Sequence, residues 1–220
     1  MIALETPPNE TQRIETLKGF GMLDTPPDGA FDSITQLAST IFDVPISIIS
    51  LVDTDRIWFK SHHGLSVKQI GRDPGLCASA ILSNEIYVVE DARNDPRTLA
   101  NPLVASDFGL QFYAAVPLRT DEQHNLGTLC IIDKQPRHFT DKEKKILEQM
   151  GQLVMDEMHK RLHLRQTVQH IKNLASDLES ELDDTIDEME TNQDVDKKRI
   201  MSYLDATRLF VSNIKGQLDL

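Results

Sequence analysis

The chain has 220 residues, 40% of them hydrophobic and 26% charged, with a formal net charge of -12. That length supports one domain with a sizeable core plus an extension, or two small domains. The acidity repels phosphate backbones and anionic lipid, so neither nucleic acid nor a membrane surface is an expected partner.

The opening stretch MIALETPP has no basic start and no apolar segment, so no signal peptide is expected. No run is long and apolar enough to span a bilayer. Two cysteines far apart, Cys77 and Cys130, suggest free thiols in a reducing compartment. The expected location is cytoplasmic.

Ile14, Leu17, Phe20 and Leu23 fall on helical spacing within residues 10–23, with Asn9 as a cap and Asp24-Thr25-Pro26-Pro27 as the stop. A second helix is predicted over 32–42, with Ile34, Leu37, Ala38 and Ile41 on its apolar face. The period then changes. Residues 46–52 and 56–61 read as two strands of a hairpin around Asp53-Thr54-Asp55. A short helix over 76–82 and a strand over 86–89 follow. The polar loop EDARNDPR comes next, then a helical turn within 102–107. Residues 112–119 and 126–133 are two further strands. Thr140-Asp141-Lys142-Glu143 is a capping box that opens a long helix running to about residue 190. This order predicts an α+β domain, a central antiparallel sheet covered by helices, followed by a long helical tail.

The stretch DRIWFKSHHGL, residues 55–65, holds the only tryptophan. On a regular strand Arg56, Trp58 and Lys60 share one face, and Ile57, Phe59 and Ser61 the other. A flat indole between two cations can line a pocket for an aromatic or anionic ligand, with Ala114 and Ala115 leaving room nearby. The plainer reading packs Trp58 under a loop with the charges reaching outward. His62 and His63 are adjacent, so they point to opposite faces and do not chelate one ion; no metal site is expected. Asp91, Asp95 and Arg97 suit a loop braced by ion pairs and turn hydrogen bonds. The two cysteines are expected to act as small buried hydrophobes.

Several phrases resemble the GAF sensory domain in their order and spacing. They are LKGFGMLDTPPDGAFDSITQLASTIFDVPISIISLVD, DRIWFKSHHGL, LCASAIL, VVEDARNDPR, NPLV, FYAAVPLR and LGTLCIID. The match is to the bacterial type found ahead of histidine kinases and diguanylate cyclases, and it covers residues 9–163. The resemblance implies a small-molecule or regulatory pocket on one face of the sheet. Candidate lining residues are Arg56, Trp58 and Lys60, with Cys77, Asp91, Phe112, Tyr113 and Cys130. Ser79 follows Cys77-Ala78 where the family usually has histidine, which argues against a bilin. The NKFDE phrase of cyclic-nucleotide-binding members is absent, as is the cysteine set of the free methionine sulfoxide reductases. No matched phrase supplies a catalytic group, so a non-enzymatic sensory module is expected, with no cofactor identified.

The tail, residues 164–220, carries a heptad seam at Leu164, Val168, Ile171, Ala175, Leu178, Leu182, Thr185 and Met189. A polar break falls near 190–196. A second seam follows at Ile200, Leu204, Thr207, Val211, Ile214 and Leu218. Such seams support a coiled coil or a helical hairpin, and two hairpins make a four-helix bundle. A homodimer is expected, with Leu164, Val168, Ile171, Leu178, Leu182 and Met189 at its interface. Residues 203–220 resemble the second helix of histidine-kinase dimerisation domains, but His170 is followed by Ile171-Lys172 and lacks an acidic neighbour. Two alternatives stay open. One is a thiol-based redox enzyme or sensor using Cys77 and Cys130; the other is a degenerate kinase fragment that pairs with a histidine kinase or another signalling protein.

Overall fold

The computed structural model describes residues 6–73, 75–99, 101–191 and 197–218. It divides into two units, residues 1–160 and 161–220.

In the first unit α1 (Glu10–Phe20) and α2 (Gly29–Phe42) precede β1 (Ile46–Val52) and β2 (Arg56–His63). Then come β3 (Gln69–Gly71), α3 (Leu76–Ala80), β4 (Tyr87–Val89) and α4 (Pro102–Ala105). β5 (Phe112–Arg119), β6 (Asn125–Asp133) and α5 (Asp141–Thr191) follow, the last continuing into the second unit. The sheet has six strands in the order β3-β2-β1-β6-β5-β4. Each recorded pairing is antiparallel.

The two faces of the sheet are covered differently. One carries α1, α2 and the first part of α5. Phe112 meets Phe139 there, 5.5 Å between ring centroids, and Gly151 lets α5 approach β5. A Cβ on Gly151 would stand 2.6 Å from Val116 Cγ1. The opposite face carries α3, α4 and the long loops over Ile48, Val52, Ile57, Tyr113, Ala115 and Cys130. The capping box forms as its sequence predicts: Glu143 accepts from the Thr140 amide at 2.8 Å, and Thr140 Oγ1 accepts from the Glu143 amide at 3.3 Å.

Several local expectations are corrected. α1 stops at Phe20, because Gly21 takes the left-handed conformation (φ 59°) and donates its amide to the Lys18 carbonyl. Asn9 makes no side-chain cap. On α2, Leu37 and Ile41 are exposed, and the buried face is Phe31, Thr35, Ala38, Ser39 and Phe42. Polar bonds set that rotation. Thr35 Oγ1 meets Ser61 Oγ at 2.8 Å, the Thr35 carbonyl accepts from Ser47, and Ser39 donates to the Val44 carbonyl.

A further correction concerns β2. Ile49 pairs with Ser61 and Ser50 with Phe59, so Lys60 is an extra residue at a β-bulge. The bulge turns Ser61 to the α2 side, the side that Trp58 and Lys60 also face. Ala114 and Ala115 lie on β5, separated from β2 by β1 and β6, and both are fully buried. They leave no room beside Trp58.

Three buried or half-buried ions tie α1 to the sheet. Glu10 accepts from Arg13 Nε at 2.7 Å and from Arg72 Nη1 at 2.5 Å. Arg13 and Arg72 are both almost fully buried. Arg13 also reaches the carbonyls of Asn125 and Leu126, and Arg72 those of Asp53 and Thr54.

In the second unit α5 continues to Thr191, and α6 (Lys197–Leu218) folds back beside it. Asp183 and Arg208 form an ion pair at 3.3 Å, which sets the two helices side by side as a hairpin. Ala175, Leu182 and Val211 are buried, while Leu164, Ile171, Leu174 and Leu178 are exposed. Val168 is half-buried and Thr185 exposed. The expected break over 192–196 and the Met189 side chain lie outside the described residues. Among the described residues no helix is long and apolar enough to cross a membrane.

Candidate functional site

The residues expected to form one pocket fall into separate groups. The first sits where β3 ends. β3 pairs only with Arg56–Trp58, and the Phe59 amide donates to the Lys68 carbonyl at 2.9 Å. Beyond that bond the edge of β2 faces a cleft of about 420 Å³. Asp24, Thr25 and Pro27 of the α1–α2 loop form one wall, with Asp32 from the first turn of α2. Trp58, Lys60, Ser61 and His62 form the other, and Lys68 stands at the rim.

Trp58 is only 7% exposed, so its ring is a wall of the cleft. The Lys60 ammonium lies over the Trp58 and Phe31 rings, 5.9 and 5.3 Å from their centroids. It also donates to Thr25 Oγ1 at 2.8 Å and to the Pro26 carbonyl at 3.1 Å. Aromatic faces and oxygen acceptors together make burial of this cation tolerable. Ser61 donates to Asp32 Oδ1 at 2.6 Å. His62 Nδ1 is buried without a hydrogen-bond partner among the described residues. Arg56 is not itself a lining residue of the cleft. Its guanidinium holds Asp24 at 2.6 Å and Asp53 at 3.2 Å. Asp24 is thereby held below the ordinary carboxylate range.

The second group lies on the other face. Cys77, Cys130 and Tyr113 meet in the apolar core under α3. Tyr113 donates its hydroxyl to Cys77 Sγ at 3.3 Å. The Ser50 and Thr128 hydroxyls lie on the same face, 2.9 Å from each other. The polar neighbours Cys130, Ser50, Tyr113 and Thr128 outweigh burial and lower the Cys77 pKa. Cys130 is pushed up by Cys77 and by burial. Burial first, then the neighbouring thiols, raises Tyr113 well above its usual value.

Two remaining residues join neither group. Phe112 packs on Phe139 under α5. Asp91 closes a turn, accepting from the Arg93 amide at 3.2 Å and from Asn94 Nδ2 at 2.8 Å. Arg97 braces the same loop through Asp95 and stacks 4.7 Å over the Tyr87 ring. Sequence reasoning missed Asp32, His62 and Lys68 as cleft residues. The Asp28 cap that places Asp32 on the first turn of α2 was a readable signal. No group of side chains arranged to hold a metal ion occurs among the described residues.

The GAF domain family model matches residues 26–158, and the chain belongs to that family. A Pseudomonas aeruginosa protein named as a cyclic di-GMP phosphodiesterase is 38% identical over 160 residues, covering 71% of this chain. The chain spans only 27% of that relative's length. Among solved structures, the type II free methionine-R-sulfoxide reductase of Thermoplasma acidophilum aligns at a TM-score of 0.51 and 18% identity. That match covers 66% of this chain and 96% of the reductase. The free methionine-R-sulfoxide reductase of Neisseria meningitidis gives 0.51 and 17%, over 75% and 99%.

These findings correct one expectation. A chain set apart from enzymes is overturned by a relative named as a phosphodiesterase and by reductases built on the same fold.

Proposed function

We propose that this chain is a sensory GAF module in the service of an enzyme of cyclic di-GMP turnover. It takes a small ligand in the Trp58 cleft and passes the change to a dimeric helical tail. The cleft carries this reading: it has one aromatic wall, with Lys68 and Asp32 among the polar groups that line it. A flat ligand with a polar edge suits that lining. The link to cyclic di-GMP is supported by the relative at 38% identity. The dimer is supported by the apolar stripe that the hairpin leaves uncovered.

Trp58 is the only tryptophan, so emission reports this site alone. Iodide and acrylamide should quench it slowly. A screen of metabolites, cyclic di-GMP included, should find a compound that shifts the emission and protects it further. Free quenching in the folded protein would remove the cleft from consideration. A compound that binds with unchanged emission would move the ligand site elsewhere.

A further inference from the structure

The hairpin of the second unit has two unlike sides. Ala175, Leu182 and Val211 are buried between α5 and α6, and Leu204 is half-buried with them. These residues mark the direction in which each helix faces the other. A residue one or four places later in the chain lies about 100° or 40° round the helix in one sense. A residue one or four places earlier lies as far round in the opposite sense. The helices run antiparallel, so the same sense on both leads to the same side of the hairpin.

The later side is charged. Glu179, Asp183, Asp205, Arg208 and Ser212 each follow one of these four residues by one or four places. They line a single crevice, with Leu209 at its border, and the Asp183–Arg208 ion pair closes it. The earlier side is apolar. Ile171 and Leu178 precede Ala175 and Leu182 by four places, and Leu174 precedes Ala175 by one. Tyr203 and Phe210 precede Leu204 and Val211 by one. All five are exposed, the two aromatics at 66% and 65%. The ion pair sets Arg208 level with Asp183, which puts Phe210 within one turn of Leu178. The stripe of α5 and the aromatics of α6 therefore make one face.

We propose that a second copy of the chain seats its own hairpin on this face, so that the dimer is a four-helix bundle with Tyr203 and Phe210 in its core. This rests on the reading of a dimeric tail and adds the half of the interface that α6 supplies. Tyr203 and Phe210 lie off the seam read from the sequence. The width of the face selects the partner. One helix from another protein fills one groove and leaves either the aromatics or the α5 stripe in water. A matching face two helices wide covers both. The face is about 30 Å long and about 20 Å wide, from the 22 residues of α6 and the usual spacing of packed helices. That approaches the roughly 800 Å² per partner of a standard interface. Exposed aromatics at such a centre are the side chains that contribute most to association.

The test is the mass of the full chain by sedimentation and light scattering. The parent should run as two chains. Tyr203→Glu with Phe210→Glu should run as one, with Trp58 emission unchanged to show that the first unit is folded. Leu209→Glu is the control, since Leu209 is 64% exposed on the same helix but borders the charged side. It should stay dimeric. A dimer that survives the paired glutamates on α6 but not glutamates at Ile171 and Leu178 overturns the proposal and leaves a dimer held by α5 alone. A parent at the mass of one chain overturns both and gives the face to a different protein. Loss of the dimer in Leu209→Glu as well overturns the choice of face. Should the paired glutamates melt α6, photocrosslinking decides. A benzoylphenylalanine at position 210 should give a two-chain product joined through the tail, and one at position 209 should not. Equal yields from the two positions overturn the proposal.

Discussion

Replacing Ile171 and Leu178 by glutamate should convert a dimer into a folded monomer. Both side chains lie on the seam of the tail and both are exposed in the single chain. The hairpin already uses Ala175, Leu182 and Val211 for its own core. What it leaves is a stripe of Leu164, Ile171, Leu174 and Leu178 along one helix. These side chains are already about half buried, so covering what remains of each contributes roughly 1 kcal/mol. A two-fold axis doubles the stripe, giving about 8 kcal/mol gross, against an association cost of about 4–15 kcal/mol. Two glutamates per chain remove about half of that gain and set four like charges in one interface. Light scattering should show the mass halved, and a chain ended after Leu162 should run at the mass of its own monomer. A dimer that survives both changes would place the interface on the GAF unit.

Much of the first unit was legible because its signals are local. The branched run at residues 46–52 becomes β1 with the same bounds, and residues 112–119 become β5. The capping box of Thr140 and Glu143 needs only four residues and forms as read. β3 escaped because three residues, Gln-Ile-Gly, carry no period. The bulge at Lys60 escaped because a bulge is a property of a pair of strands. Its consequence is large, since it brings Ser61 to the same side as Trp58 and so shapes the cleft. The apolar face of α2 was misread because Thr35 and Ser39 win burial through hydrogen bonds, while Leu37 and Ile41 have none to offer.

The site was legible in parts and scattered as a whole. Trp58 and Lys60 border a cleft, and Cys77 meets Tyr113 in the core that also holds Cys130. Yet the sheet lies between these groups. Which face a strand residue takes follows from alternation, but which residues of distant strands become neighbours follows from the strand order. The order β3-β2-β1-β6-β5-β4 separates β2 from β5 by two strands. No local pattern encodes that.

Glu10→Gln should destabilise the first unit by about 3 kcal/mol, at the low end for breaking a buried ion cluster because Glu10 keeps some exposure. Glu10 is the one carboxylate that both guanidiniums share. Without it Arg13 keeps only carbonyls at 3.4 and 3.5 Å. Arg72 is worse placed, because its Nε and Nη2 already lack partners among the described residues. Glutamine fills the same space, so the loss is one of charge and not of packing. For a unit of this size the melting temperature should fall by about 10 °C. The pH dependence has a definite sign. Burial pushes the Glu10 carboxyl up, but the hydrogen bonds and charges of Arg13 and Arg72 outweigh it, and its pKa lies below the ordinary value of 4.5. A depressed carboxylate contributes fully above its unfolded pKa and loses that contribution as pH falls through the folded one. The gap between the parent and Glu10→Gln should therefore be constant from neutrality down to about pH 5 and narrow in more acid solution. Parallel melting curves down to pH 3, with an undiminished gap, would show that Glu10 acts through shape and that the charge is incidental.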